Sequence, residues 1–229
     1  MNRISRLLTY ALAISLFSGL FSCQNLTSQA MSQTSDGVQT GDLVFVSRPR
    51  DDGSGKADLI HVAMTEVVGD SIYIVDATIR HGVDRHPLDT FFCDFLRHNG
   101  TLPHFIVKRM PQADAERFIG QAKHYVGHPY DCDFARGTDA LYCTELVRNS
   151  YVNAQGDTLF AEVAIDFRDA DGTLPAYWER LFSSVNAVPP IGRMGTTPAS
   201  LADSPLLEDE GELLLSRANA FLEERASAK

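Results

Sequence analysis

A β-hairpin in the first half of the chain is the feature that most constrains the fold. Two runs rich in β-branched residues, 59–68 and 71–78, flank the dipeptide Gly69-Asp70. Runs of this kind on either side of a glycine-containing turn predict two paired antiparallel strands. Such a turn places Asp76 of the second strand opposite the residues around His61 of the first. We therefore expect a sheet that carries a histidine and a carboxylate as neighbours.

Further elements extend this hairpin into an α+β domain. They are predicted strands at 43–46 and 103–109, a short strand from Val83, a turn or short helix at 87–92, helices at 112–126 and from Cys143, and a terminal helix at 206–228. Strands cluster in the first half of the chain and helices follow them. This order is typical of an α+β fold, here an antiparallel sheet or partial barrel packed against helices.

The first residues have the composition of an export signal. Arg3 and Arg6 precede an apolar run at 7–17, which is too short to span a bilayer comfortably. The small residue before Cys23 resembles a bacterial lipoprotein signal, and an ordinary secretory signal is the alternative. The prediction is a signal peptide at 1–22, a lipid on Cys23, a flexible polar tether at 23–39 and a domain at 40–229. The lipid would anchor the protein in the bacterial envelope, at the outer membrane facing the periplasm.

Charge and cysteine content narrow the function. The formal net charge of −10 and the lack of a Lys/Arg run argue against nucleic-acid binding. With Cys23 lipidated, three of the 4 cysteines remain, and an odd number in an exported protein indicates a free thiol. Cys93 and Cys132 are able to pair, but no spacing rule requires it.

Cys143 stands at the start of a predicted helix. Asp139 lies where a cap would fall, Glu145 lies in the first turn, and apolar residues follow at helical spacing. The positive end of a helix dipole favours the thiolate form of a cysteine. The alternative is a buried thiol that serves only as a small apolar side chain.

His61 and Asp76 supply what a reactive thiol needs. A cysteine hydrolase requires a base that takes the thiol proton and a polar group that orients the base. His61 lies within an apolar strand, and a carboxylate beside it is costly unless it is paired. Either His61 is a satisfied core residue, or it is a base held by Asp76 with Cys143 as its nucleophile.

A second cluster that contains histidines is a candidate for a metal site. His81, Asp84 and His86 lie close in sequence, but their spacing matches no zinc pattern closely. We interpret them as solvent-exposed loop residues. No metal and no organic cofactor is predicted.

Six short blocks, in a fixed order, carry a resemblance to a known family. They are Thr40-Gly41-Asp42-Leu43-Val44-Phe45, Ile60-His61-Val62-Ala63, Ile74-Val75-Asp76-Ala77, Val107-Lys108-Arg109, Gly127-His128-Pro129-Tyr130-Asp131 and Tyr142-Cys143-Thr144-Glu145-Leu146-Val147. This series resembles the YiiX/YebB-like, circularly permuted branch of the NlpC/P60 cysteine hydrolases. The resemblance implies a permuted papain-like fold in which the histidine precedes the cysteine. It also implies Cys143 as nucleophile, His61 as general base and Asp76 as the residue that orients the imidazole.

Four more residues are candidates for substrate binding. Tyr130 and Asp131 are expected to line the pocket or shape its loop. The Tyr142 hydroxyl either lies near the oxyanion or belongs to a ring that only packs. Glu145 either stabilises the helix start or selects a positively charged group of the substrate.

Three functional classes stay open at this level. The broader family suggests a peptidase or amidase that acts on peptidoglycan peptides. A lipid or acyl-ester hydrolase or acyltransferase is the alternative, and a binding lipoprotein without activity is the third. The segment 152–191 follows the Cys143 helix and is expected to cover the cleft. A polar cleft would favour peptides and an apolar groove would favour lipids, and the oligomeric state is not indicated.

Overall fold

The computed structural model describes residues 34–111, 113–135, 137 and 139–228. The predicted signal peptide at 1–22 and the predicted lipid site at Cys23 lie outside these residues. Among the helices of the described ranges, none is long and apolar enough to cross a membrane.

A six-stranded antiparallel sheet forms the centre of the domain. Its strands are β1 (Leu43–Pro49), β2 (Ala57–Val68), β3 (Ser71–Thr78), β4 (Gly82–Pro87), β5 (His104–Arg109) and β8 (Glu208–Gly211). They lie in the order β4-β3-β2-β1-β5-β8. A separate ribbon pairs β6 (Val163–Ala164) with β7 (Met194–Gly195). The helices are α1 (Leu88–Phe95), α2 (Ala115–His124), α3 (Cys143–Ser150), α4 (Ala176–Ser184), α5 (Pro198–Ala202) and α6 (Leu215–Ser227).

Helices cover both faces of the sheet, so its central strands are apolar on both sides. Alternate residues of β1 point in opposite directions, as in any strand. Leu43 and Phe45 belong to the apolar cluster that includes α2 and α3. Val44 and Val46 belong to the cluster that includes α1 and α6. The site can therefore receive side chains from helices on both faces.

The predicted fold class is confirmed, and so is the hairpin. Val68 pairs with Ser71 around the turn, and the two strands run antiparallel as expected. The helix predicted at 112–126 begins later, at α2, because the Asp114 side chain accepts the Arg117 N–H and caps it there.

The terminal helix predicted at 206–228 is wrong in its first part. Residues 208–211 form β8 at the edge of the sheet, and α6 begins only at Leu215. Lys108 and Arg109 of β5 form ion pairs with Asp209 and Glu210 at 3.5 and 3.1 Å. The acidic residues therefore neutralise a basic neighbouring strand instead of forming the polar face of a helix.

The tether predicted at 23–39 is too long. Val38 is fully buried in the cluster beside α6. Asp36 forms an ion pair with Arg217 of α6 at 2.6 Å. The folded domain therefore includes residues from Thr34 onward, instead of beginning at residue 40.

Candidate active site

A β-bulge in β2 brings His61 out of the regular sheet. Val46 of β1 pairs with His61, and the next residue, Ser47, pairs with Leu59. Ile60 is therefore an extra residue in β2. A bulge of this kind bends a strand and redirects the side chains beside it. The described pairing between β2 and β3 also ends at Met64 and Val75. His61 therefore lies where the two strands no longer pair, with its imidazole free to reach across to β3.

Asp76 of β3 accepts a hydrogen bond from His61 Nε2 at 2.8 Å. The two residues are 1% and 6% exposed, and the ring centre of Phe95 of α1 lies 5.2 Å from that of the imidazole. Burial by itself would raise the pKa of Asp76, but the hydrogen bonds that it accepts from His61 and His86 outweigh burial and lower it. The ionised carboxylate thus fixes the imidazole through Nε2 and leaves Nδ1 for another partner.

Cys143 is the first residue of α3, and Tyr142, in an extended conformation, is the N-cap. Asp139, the predicted cap, does not cap the helix with its side chain. Its carbonyl instead accepts a hydrogen bond from His128 Nδ1. The Glu145 carboxylate accepts the Tyr142 N–H, as in one half of a capping box. This contact supports the helix-stabilising role of Glu145, and the selection of a positively charged substrate group stays a prediction.

The Cys143 thiol lies within hydrogen-bonding reach of the His61 imidazole. Burial alone would lower the pKa of His61, but the charge of the Cys143 thiolate and the hydrogen bond to Asp76 outweigh burial and raise it to about 10. The raised pKa favours the protonated form of His61. The structure therefore brings the three residues together, and their roles in catalysis stay a prediction.

His86 of β4 is a fourth member of this cluster that the sequence analysis placed wrongly. It is 5% exposed, and its Nε2 donates to the second Asp76 oxygen at 3.0 Å. The interpretation as an exposed loop residue is therefore wrong, because β4 continues to Pro87 and buries His86 beside β3. Extending the short strand expected from Val83 would have revealed this position.

A cavity of about 230 Å³ opens beside Cys143 and His61. Seven of its lining residues are aromatic: Phe95, Tyr130, Phe134, Tyr142, Phe167, Tyr177 and Trp178. Phe167, Tyr177 and Trp178 belong to the segment 152–191, so this segment forms one wall of the cleft. Arg80 and Asp94 also line the cavity, and they bind each other at 3.0 Å.

The four candidates for substrate binding divide into two groups. Tyr130 and Tyr142 line the cavity, and the Tyr142 hydroxyl accepts the Thr196 N–H at 3.3 Å. Asp131 does not line it and shapes the loop, because its carboxylate accepts the backbone N–H of Asp133 at 2.9 Å. Glu145 also lies outside the lining, where burial and the nearby charge of Asp131 raise its pKa to about 7.

The remaining thiols and His81 lie apart from this chemistry. Cys93 and Cys132 are free, so the pairing left open by the sequence is not formed. The His81 Nε2 atom lies 3.3 Å from the Asp94 carboxylate. Within the ranges that the structure describes, no group of three or more His, Cys, Asp or Glu side chains is arranged to hold a metal ion.

Comparisons with known proteins show what the chain is similar to. Residues 37–209 match the family model described as permuted papain-like amidase enzyme, YaeF/YiiX, C92 family. The "Uncharacterized protein YiiX" of Escherichia coli strain K12 is 25% identical over 178 residues, which cover 74% of this chain and 84% of that protein. The crystal structure of metalloprotein YiiX from Escherichia coli O157:H7 matches with a TM-score of 0.56 and 22% identity. That match covers 79% of this chain and 98% of the other and shows a shared fold.

Proposed function

Because the chain belongs to the permuted papain-like amidase family of YaeF and YiiX, we propose that it hydrolyses an amide bond through a thioester on Cys143. The observation that carries this proposal is the buried contact between the Cys143 thiol and the His61 imidazole, which Asp76 holds at 2.8 Å. A nucleophile, a base and a group that orients the base are the parts that thiol acyl transfer requires.

The thiolate and the imidazolium act in turn. The Cys143 thiolate attacks the carbonyl carbon of the amide. As the C–N bond breaks, His61 gives its proton to the leaving nitrogen, and a thioester remains. Water then attacks the thioester, His61 takes one of its protons, the acid leaves and the thiolate is restored.

We propose two hydrogen-bond donors for the developing oxyanion. The Cys143 N–H lies at the first position of α3, where the helix provides no acceptor. Tyr130 lines the same cavity, and burial together with the thiolate charge holds the pKa of its hydroxyl well above the usual value. The hydroxyl therefore stays protonated as a donor. Removing one such donor typically lowers kcat by about 10²–10³.

The cavity lining supports an apolar acyl group in the substrate. Apart from the catalytic set, its charged side chains are Arg80 and Asp94, which neutralise each other. The other walls are mainly aromatic and aliphatic, and such walls gain free energy by covering apolar surface. We therefore propose an apolar acyl amide as the substrate. A polar peptidoglycan peptide and an acyl ester are the alternatives.

Turnover of matched substrates tests this function. We expect purified protein to release p-nitroaniline from N-octanoyl-p-nitroanilide faster than it cleaves a peptidoglycan stem peptide. Cys143→Ala should abolish both reactions, and peptide mass spectrometry should find the octanoyl group on Cys143. Cys93→Ala is the matched control, because it removes a free thiol that is exposed and outside the cavity.

Two results would contradict different parts of the proposal. Wild-type turnover by Cys143→Ala excludes the thioester mechanism. Faster, Cys143-dependent cleavage of the stem peptide keeps the mechanism but excludes the preference for an apolar acyl group.

We also propose that the enzyme is lipid-anchored in the bacterial envelope, at the outer membrane facing the periplasm. The support is the apolar run before Cys23 in the sequence. Growth with an alkyne-tagged fatty acid should label the wild-type protein and leave Cys23→Ala unlabelled. Equal labelling of the two proteins contradicts this anchor.

A further inference from the structure

Arg48, near the end of β1, is a half-buried cation beside the proposed catalytic cavity. Its guanidinium carbon lies 5.6 Å from the centre of the Tyr177 ring, which packs against it through a cation–π contact. In the described part of the chain, Arg48 forms no ion pair with a carboxylate, unlike Arg50 two residues later. A half-buried guanidinium whose partner is an aromatic face retains hydrogen-bond donors for an anion.

The carboxylates close to Arg48 are engaged by other cations. Asp58 pairs with Arg48 in the strand register, yet its side chain binds Arg50 at 2.6 Å. Asp51 binds Arg97 at 2.6 Å. Neither acid therefore forms an ion pair with Arg48, although the hydrogen bond from Arg97 and then the charge of Arg48 help to lower the pKa of Asp51.

A second cavity contains Arg48 and shares Tyr177 with the catalytic cavity. It has a volume of about 440 Å³, and Arg48 and Tyr177 both line it. Tyr177 also lines the cavity that contains Cys143. Burial and the Cys143 thiolate raise the pKa of Tyr177 to about 12, while Arg48 acts in the opposite direction. Tyr177 is therefore the residue through which a substrate at Cys143 lies closest to Arg48 in the two linings.

We propose that Arg48 binds a carboxylate of the substrate, and that the substrate is an N-acyl amino acid or a similar amide with a free acid. Its acyl group occupies the aromatic cavity, its amide lies at Cys143 and its carboxylate reaches Arg48 past Tyr177. The aromatic cavity, at about 230 Å³, holds roughly eight water-sized groups, which suits a short acyl chain. This inference rests on the proposed amide hydrolysis and names the substrate class for it.

The surroundings of Arg48 favour a singly charged carboxylate over a phosphate. A guanidinium presents two parallel N–H groups that match the two oxygens of a carboxylate. Asp52 and Glu179 line the same second cavity. Their negative charges repel a doubly charged group more strongly than a singly charged one. Hydrolysis of the proposed substrate releases the free acyl acid and an amino acid whose nitrogen has received the proton from His61.

Two ligands that differ only in charge test the inference. N-octanoylglycine carries the carboxylate, and N-octanoylglycinamide replaces it with a neutral amide. We expect kcat/KM of the wild type to be about 10- to 100-fold higher for the acid. The difference should lie in KM, because the carboxylate contributes to binding and takes no part in breaking the C–N bond. Arg48→Gln should bring this ratio close to one, and Arg48→Lys should retain part of it. Arg180→Gln is the matched control, since Arg180 lines the same cavity but is exposed.

Calorimetric binding to Cys143→Ala gives a second readout that needs no turnover. The acid should bind about 10- to 100-fold more tightly than the neutral amide, and adding Arg48→Gln should remove the difference. Equal affinities, absence of binding by the acid, or an unchanged preference in Arg48→Gln overturns the inference. If the acid binds through Arg48 but is not hydrolysed, the carboxylate site is supported and the proposed hydrolysis of this substrate fails.

Discussion

Asp76→Asn removes the charge that holds the imidazole and leaves the shape of the side chain nearly unchanged. The wild-type carboxylate accepts the His61 Nε2 proton at 2.8 Å in a buried site. A hydrogen bond between charged groups in such a site contributes about 1.5–3 kcal/mol. At 1.4 kcal/mol for each tenfold change, the imidazolium–thiolate pair should be disfavoured by about 10- to 150-fold relative to the neutral pair.

Alkylation of the thiol measures this change without knowledge of the substrate. Iodoacetamide reacts with the thiolate, so the rate at Cys143 reports how much of the ion pair is present. We expect this rate at pH 6 to fall by about 10- to 150-fold in Asp76→Asn. Peptide mass spectrometry separates Cys143 from Cys93, which is exposed and gives an internal reference rate in the same molecule.

Asp84→Asn is the matched control for the lost charge. Asp84 lies opposite Asp76 in β4, but its carboxylate accepts the Arg85 N–H instead of an imidazole proton. The Cys143 alkylation rate of Asp84→Asn should stay within about twofold of the wild type, because the Asp84 side chain touches neither partner of the ion pair. If folded Asp76→Asn reacts at Cys143 as fast as the wild type, relative to Cys93, Asp76 does not hold the ion pair and the proposed arrangement is refuted.

Three further predictions concern stability. His86→Leu removes one of two imidazoles bound to Asp76, so urea unfolding should show a loss of about 1–3 kcal/mol, and no loss would contradict a buried hydrogen bond. Because the folded-state pKa of Asp76 lies below its ordinary value of 3.8, its ionisation stabilises the protein above that pH. The advantage of wild type over Asp76→Asn should therefore shrink in thermal melts as pH falls through the lowered pKa, and a constant difference argues against it. Gly82 and Gly53 both have positive φ, +68° and +73°, but a side chain at Gly82 would overlap the His128 carbonyl oxygen and one at Gly53 would meet open space. Gly82→Ala should therefore melt at least roughly 5 °C below Gly53→Ala, and equal Tm values would exclude this close approach.

The local elements were predictable because they depend on short-range patterns. The hairpin around Gly69-Asp70 and the helix that begins at Cys143 follow from β-branched runs, a turn and helical spacing. The edge strand 208–211 was not predictable in this way. Its acidic residues have no strand pattern of their own, and they form a strand because β5 offers unpaired backbone groups and the cations Lys108 and Arg109.

The sequence by itself determined which reactive side chains the candidate site contains and the order in which they occur along the chain. It placed His61 and Asp76 on two adjoining strands and Cys143 at a helix start, because strand alternation and helix spacing depend on residues close in sequence. Only the tertiary structure decided that these three side chains meet, since the meeting depends on the bulge at Ile60 and on the end of pairing between β2 and β3.

The tertiary structure also decided what surrounds the reagents. His86 reaches Asp76 through strand pairing, and Tyr177 and Arg48 approach the cavity from segments far apart in the chain. Such contacts join residues that share no local pattern, so their free energy comes from burial and charge pairing in the folded domain. The chemistry of the thiol could therefore be predicted from the chain alone, whereas the shape and charge that select its substrate exist only in the folded protein.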